Sequence, residues 1–185
     1  MRTILAAVVL FATCGWADDV WSEPAPGVRL LERKTSSQRV YAAVVKLADF
    51  TLRSTTSKER KQTTSAFAET VAATVAVNAD FFSYDDYSTE GLAAGLGEAW
   101  ADTRDDVTAT TFAFGRGRVE LSPRLPIVRF DAEWMEGVVS GGPELLRDGV
   151  TQSNQQHLVK CFWRHPRTAL GLSADKKTLY LVVVD

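Results

Sequence analysis

The chain has 185 residues and a formal charge of -2. So even a balance leaves no basic stripe for nucleic acid and no polybasic patch for anionic lipid. The length suits one domain, large enough to bury a core without staples.

Residues 1–17 read as a secretory signal. Arg2 opens it, residues 4–12 are almost wholly apolar, and Gly15-Trp16-Ala17 sets small residues where a signal peptidase cuts, with Asp18 and Asp19 behind. The apolar run of about 9 residues is too short for a bilayer-spanning helix of roughly 20. A secreted or periplasmic location follows. Lipid attachment through Cys14 is the lesser alternative, because Phe11 and Thr13 fit the lipidation box poorly. Cleavage after Ala17 would leave Cys161 alone, so no internal disulfide is expected.

Residues 18–27 read as a leader ending in Pro24-Ala25-Pro26-Gly27. Strands are expected over 28–33, 40–47 and, by alternation, 50–55. Residues 57–63 are polar loop. Thr64 and Ser65 can cap a short helix through about Thr70, with Phe67 and Val71 on one face. A short buried strand is expected over 74–77, and residues 83–109 are expected to be mostly loop. Residues 110–114 and 118–121 form a hairpin signal around Gly115-Arg116-Gly117. Further short strands are expected at 127–130, 138–140 and 144–147, the last followed by an Asp148-Gly149 turn. Residues 168–172 and 178–184 pair naturally around Asp175-Lys176-Lys177. The apolar run of 178–184 reads as a strand buried on both faces. The fold class is α+β: a β-rich mixed or antiparallel sheet with one or two short helices. A chain that stops on such a strand also suggests a domain, 18–185, that is incomplete at its C-terminus.

Five groups of residues are candidates for chemistry. On an extended segment Asn78 and Asp80 point the same way and offer an amide and a carboxylate to one site; an Asx turn is the local alternative. Asp85, Asp86 and Glu90 add acids to Asp80, without the spacing of a calcium loop. Ser140-Gly141-Gly142-Pro143 follows an apolar strand and can form either a concave anion site of backbone N–H groups or a plain turn. Arg167, at the mouth of a strand, is either a bidentate phosphate or carboxylate clamp or a surface ion-pair partner. His157, Cys161 and His165 fall four apart, but Trp163 and Pro166 argue against the helix a zinc site would need. Neither a metal nor a cofactor is called for.

In order along the chain, these pieces resemble the phosphodiester glycosidases, the family of N-acetylglucosamine-1-phosphodiester alpha-N-acetylglucosaminidase. Thr74-Val75-Ala76-Val77-Asn78-Ala79-Asp80-Phe81-Phe82 resembles the family's strand and Asn-Gly-x-Phe-Phe signature, with Ala79 in place of glycine. Glu90-Gly91-Leu92-Ala93 resembles its Pro-x-Gly segment, and the stretch from Ser140 to Gly149 its Gly-Gly-Pro-x-Leu-x-x-x-Gly segment. The stretch from His165 to Leu172 resembles Arg-Thr-Ala-x-Gly, and Leu181-Val182-Val183-Val184-Asp185 resembles Val-Val-Asp-Gly. The resemblance runs from about Val28 to Asp185. It implies hydrolysis of a sugar-1-phosphodiester, or of a phosphate-containing glycan, to free sugar and phosphomonoester. In that chemistry Asp80 and Asp185 are the catalytic carboxylates, while Asn78, Arg167, Gly141 and Gly142 bind substrate. The family continues past the equivalent of Asp185 with a helix and an Asn-x-Asp-Gly-Gly-x-Ser segment, so little activity is expected of these 185 residues alone. The alternative is a non-enzymatic exported carbohydrate-binding or envelope-associated module, with Trp100, Trp134 and Trp163 as its sugar platform.

Overall fold

The structure is a computed structural model that describes residues 18–103, 110–122, 129–152 and 165–185. The signal-like segment, Cys14, His157, Cys161 and Trp163 lie outside the described residues.

Twelve strands are described. β1 (Asp18–Ala25), β2 (Val28–Lys34), β3 (Arg39–Lys46), β12 (Thr178–Val184) and β11 (Arg167–Leu172) form one sheet in the order β1-β2-β3-β12-β11. β4 (Ala94–Gly95), β5 (Glu98–Ala99), β6 (Thr110–Gly115), β7 (Arg118–Ser122) and β8 (Gly137–Gly141) form a second, in the order β5-β4-β8-β6-β7. β9 (Leu146–Arg147) and β10 (Val150–Thr151) make a separate ribbon. Every described ladder is antiparallel. The described helices are α1 (Thr64–Thr70) and two 3-10 turns, Leu47–Asp49 and Ser57–Glu59, so the fold is mostly β. The helical half of the α+β expectation is reduced to a peripheral turn or two.

The core sits between the sheets. Val28, Ala43, Val45 and Leu179 from the first meet Phe112 and Phe114 from the second. The two Phe rings lie 5.8 Å apart and tilted, an arrangement aromatic pairs favour. Period-two alternation sends the intervening Ala113 to the opposite face of β6, where it joins Leu92, Ala94, Met135 and Val138 in a second cluster. The second sheet is therefore buried on both faces. The first is not: Leu179 is buried, but Tyr180 on the other face is 40% exposed and Val182 only half-buried. β12 is central, between β3 and β11, yet only its inner face meets the other sheet, which corrects the expectation of burial on both faces.

Tight turns follow from local chemistry. Leu96-Gly97, Arg116-Gly117 and Asp148-Gly149 each close a two-residue hairpin with both residues at positive φ, the type I′ geometry that matches strand twist. Four expectations need correction. Residues 18–25 are an edge strand, not a leader, because Pro26-Gly27 turns them back onto β2. Residues 50–55 form no ladder; instead Ser54 Oγ donates to the Ala94 carbonyl at 2.5 Å, and Trp100 Nε1 donates to the Thr55 carbonyl at 3.1 Å. Residues 74–77 form no described strand either, although Val75 packs on the core. Of the strand expected at 127–130, Arg129 and Phe130 are irregular, and the other two residues lie outside the described set.

α1 begins one residue earlier than its composition suggests. Thr63 is the cap, accepting from the Ala66 N–H at 3.2 Å. Just before it, Thr56 and Glu59 form a capping box, and Glu59 also receives Arg53 Nη2 at 2.5 Å. Arg53 in turn covers the Phe67 ring at 4.9 Å, which ties the helix to the body.

Candidate functional site

The segment from Asn78 to Phe82 crosses between the two sheets, and its polar side chains hold it to both. Asn78 Oδ1 accepts from Thr168 Oγ1 at 2.5 Å, at the start of β11 and next to Arg167. Asp80 Oδ1 accepts from the Ser140 N–H at 2.5 Å, at the end of β8 and next to Gly141. Both bonds reach other elements rather than neighbours in sequence, so tertiary structure uses the two side chains that an Asx turn would have used locally. Ser140 is itself fixed, its buried hydroxyl donating to the Leu92 carbonyl at 2.7 Å. That carbonyl belongs to the Glu90-Gly91-Leu92-Ala93 stretch, so two motif segments are joined through one serine.

The remaining candidates lie close in topology. Val184 pairs with Arg167 across β12 and β11, and Asp185 exchanges two backbone bonds with Arg39, each at 2.9 Å. Asp185 and Arg167 therefore share one end of the first sheet, where Thr168 anchors Asn78. Both are exposed. Arg167 Nη1 donates to the Pro166 carbonyl at 3.3 Å. Gly141 ends β8, and Gly142 joins Pro143 through a cis peptide bond. Neither glycine has a positive φ, and a Cβ at either would meet no described atom within 4 Å. Nothing in the described backbone or packing demands glycine at either position.

Asp80 is half-buried. Burial drives its carboxyl from the ordinary 3.8 up to about 7, against the opposing pull of the Ser140 N–H. A group at that value holds a proton about half the time near neutral pH, which suits proton transfer. Among the described residues no group of three or more His, Cys, Asp and Glu side chains converges to hold a metal.

Sequence reasoning missed the aromatic surface beside Asp80. Phe81 and Phe82, next to the polar pair, are 45% and 42% exposed. Phe82 stacks on Tyr87 at 5.4 Å and lies 5.1 Å from Tyr84. The signal was present, as four aromatics within seven residues, but an apolar pair after a strand-like run reads as core. The expected tryptophan platform is not formed by the described tryptophans. Trp100 is buried against Thr55 with Arg60 over its ring at 4.9 Å, and Arg118 covers Trp134 at 4.1 Å.

No described helix is long and apolar enough to cross a membrane. No curated protein matches the chain. Residues 72–185 match the phosphodiester glycosidase family, a span that takes in Asn78 and Asp80, the Ser140-Gly141-Gly142 turn, and the β11–β12 hairpin through Asp185. Since that span is well over half of the sequence, the chain belongs to the phosphodiester glycosidase family.

Proposed function

We propose that the protein hydrolyses sugar-1-phosphodiesters, releasing free sugar and a phosphomonoester, and that it works outside the cytoplasm. Membership of the family supports the reaction class; the signal-like residues 1–17 support export. The observation that carries the reading is the Asp80–Ser140 bond. It sets a carboxyl raised to about 7 beside a glycine turn where an added Cβ would meet no described atom.

In the proposed reaction, water forms a bond to the anomeric carbon while the bond from that carbon to the phosphate oxygen breaks. The phosphomonoester leaves with the electron pair. Phosphate is a good leaving group, so strong acid assistance matters less than in ordinary glycosidases, and holding the departing charge matters more. Arg167 and the backbone N–H groups around Gly141 and Gly142 take that task. Asp80 exchanges the proton with the water or the leaving oxygen. Asp185 supplies the second carboxylate, opposite the charge that develops at the anomeric carbon. Asn78, fixed by Thr168, orients the sugar.

The test is release of sugar and phosphomonoester from a UDP-sugar, with the 185-residue chain and with a form extended through the family's Asn-x-Asp-Gly-Gly-x-Ser segment. Asp80→Asn and Arg167→Ala are each expected to lower turnover about 100-fold or more. Full turnover by either variant sinks the assignment. Saturable binding without product in both forms favours the non-enzymatic module instead.

A further inference from the structure

We propose that the loop from Phe81 to Tyr87 is the sugar-binding platform of the site, built to stack the C–H face of a neutral pyranose. The proposal rests on the phosphodiester reading for the position of the phosphate, and names what lies at the other end. Asp80 is the junction. Its carboxyl faces the Ser140 amide and the glycine turn, where phosphate would sit. The chain leaving it leads straight into the aromatic loop.

Three observations single out this loop. The first is exposure: Phe82 touches two tyrosine rings and still stands 42% exposed, and Tyr84 is 84% exposed. Grouped aromatic surface left wet in a protein with a closed core marks a binding patch. The second is backbone conformation. Tyr87 has φ 62, a left-handed value that a bulky aromatic rarely adopts. The loop holds it there through the Tyr87 N–H to Ser83 carbonyl bond at 2.9 Å, the Ser83 N–H to Ser88 carbonyl bond at 2.9 Å, and the Phe82–Thr89 bridge. This unfavourable conformation presents the Tyr87 ring parallel to Phe82, within 10°. Such strain persists where surrounding structure enforces it, and it concentrates at ligand sites. The third is charge. Asp85 and Asp86 lie in the loop between its two tyrosines and Glu90 follows shortly after, while Lys61 lies 5.0 Å over the Tyr87 ring. An acidic loop rejects an anionic sugar and accepts a neutral one. Apolar ring faces in a loop that also carries carboxylates suit a pyranose, which is apolar on its C–H faces and polar around its rim.

The experiment is titration calorimetry with glucose 1-phosphate, inorganic phosphate, the neutral methyl pyranosides of glucose, galactose and N-acetylglucosamine, and a methyl glucuronide. The parent chain is expected to bind glucose 1-phosphate and at least one neutral pyranoside, and to bind the glucuronide more weakly. Tyr84→Ala and Phe82→Leu are each expected to weaken glucose 1-phosphate about 3- to 10-fold, the scale of one aromatic contact, without changing phosphate affinity. Phe82→Tyr keeps a ring in place and is expected to restore sugar affinity, which separates stacking from folding. Equal glucose 1-phosphate affinity in Tyr84→Ala, Phe82→Leu and the parent overturns the platform, as does failure of every neutral sugar to bind the parent. Arg167→Ala tells the two readings apart. If it leaves glucose 1-phosphate affinity unchanged while the aromatic variants lose it, the platform stands and the phosphate assignment falls.

Discussion

The two ends of β8 use glycine for opposite reasons. At its start, a Cβ on Gly137 would run into the Phe114 ring and Ser54 Oγ, so glycine is there because the core leaves no room. At its end, a Cβ on Gly141, or on Gly142 just beyond, would meet no described atom. Among the described residues, one strand thus runs from a closely packed interior to a half-buried rim with room for a Cβ within five residues. The first end packs the core, and the second lies where the proposed function puts phosphate. Substitutions along this strand should separate folding from function.

The largest effect is expected at the packed end. Gly137→Ala pushes on an aromatic ring of the inter-sheet core and on the serine that bonds Ala94. It should cost about 3 kcal/mol or more. Thermal unfolding should show a Tm lower by about 10 °C, or no folded protein. An unchanged Tm would mean that the sheets can part at little cost, and the contrast with the rim would lose its basis.

A second effect lies between the ends and depends on pH. Folding raises the Asp80 carboxyl from 3.8 to about 7. The native state therefore binds more protons than the unfolded state across that interval, and the stability from this group falls as pH rises from about 4 to 7. The full swing is at most roughly 4 kcal/mol. Asp80→Asn keeps an acceptor for the Ser140 N–H and removes the titration. The variant should gain on the parent steadily from pH 5 to 7, a window above the interval in which carboxyls such as Glu59, held low by the Thr56 N–H and Arg53, would reverse the slope. Denaturant midpoints across those pH values measure the difference. A constant gap between the two proteins would mean that Asp80 is not held in a poorly solvated site.

The difference between packing and rim also explains what was legible in the sequence. The β11–β12 hairpin and the β6–β7 hairpin were readable because local signals agree: apolar, β-branched runs joined by turn residues. Residues 50–55 and 74–77 carry similar composition but form no described ladder. Strand propensity describes fitness for a pleated surface and does not supply a partner. The edge strand at 18–25 was hidden by Pro24 within it, which an edge tolerates, and by Pro26 just after it. At the site, Asn78 and Asp80 stood out as polar residues after an apolar run. The bonds that place them reach Thr168 and Ser140, 90 and 60 residues away, and no local pattern encodes such a distance. The exposure of Phe81 and Phe82 was opaque for the same reason, since composition reports how apolar a residue is and not what covers it.

The smallest effect on stability, and the sharpest use of the comparison, belongs to the rim end. Gly141 needs neither a positive φ nor the absence of a side chain to satisfy the described structure. Gly141→Ala should therefore leave stability unchanged or raise it by up to about 1 kcal/mol, because alanine lowers the entropy of the unfolded chain. The added methyl group would nevertheless occupy the space through which a phosphate would approach the backbone N–H groups next to the Asp80–Ser140 bond. Binding of glucose 1-phosphate should fall while Tm holds or rises. A fall in both would place the glycine among the packing residues with Gly137. A rise in Tm with full binding would show that the rim is not where phosphate sits, leaving Arg167 to hold it alone.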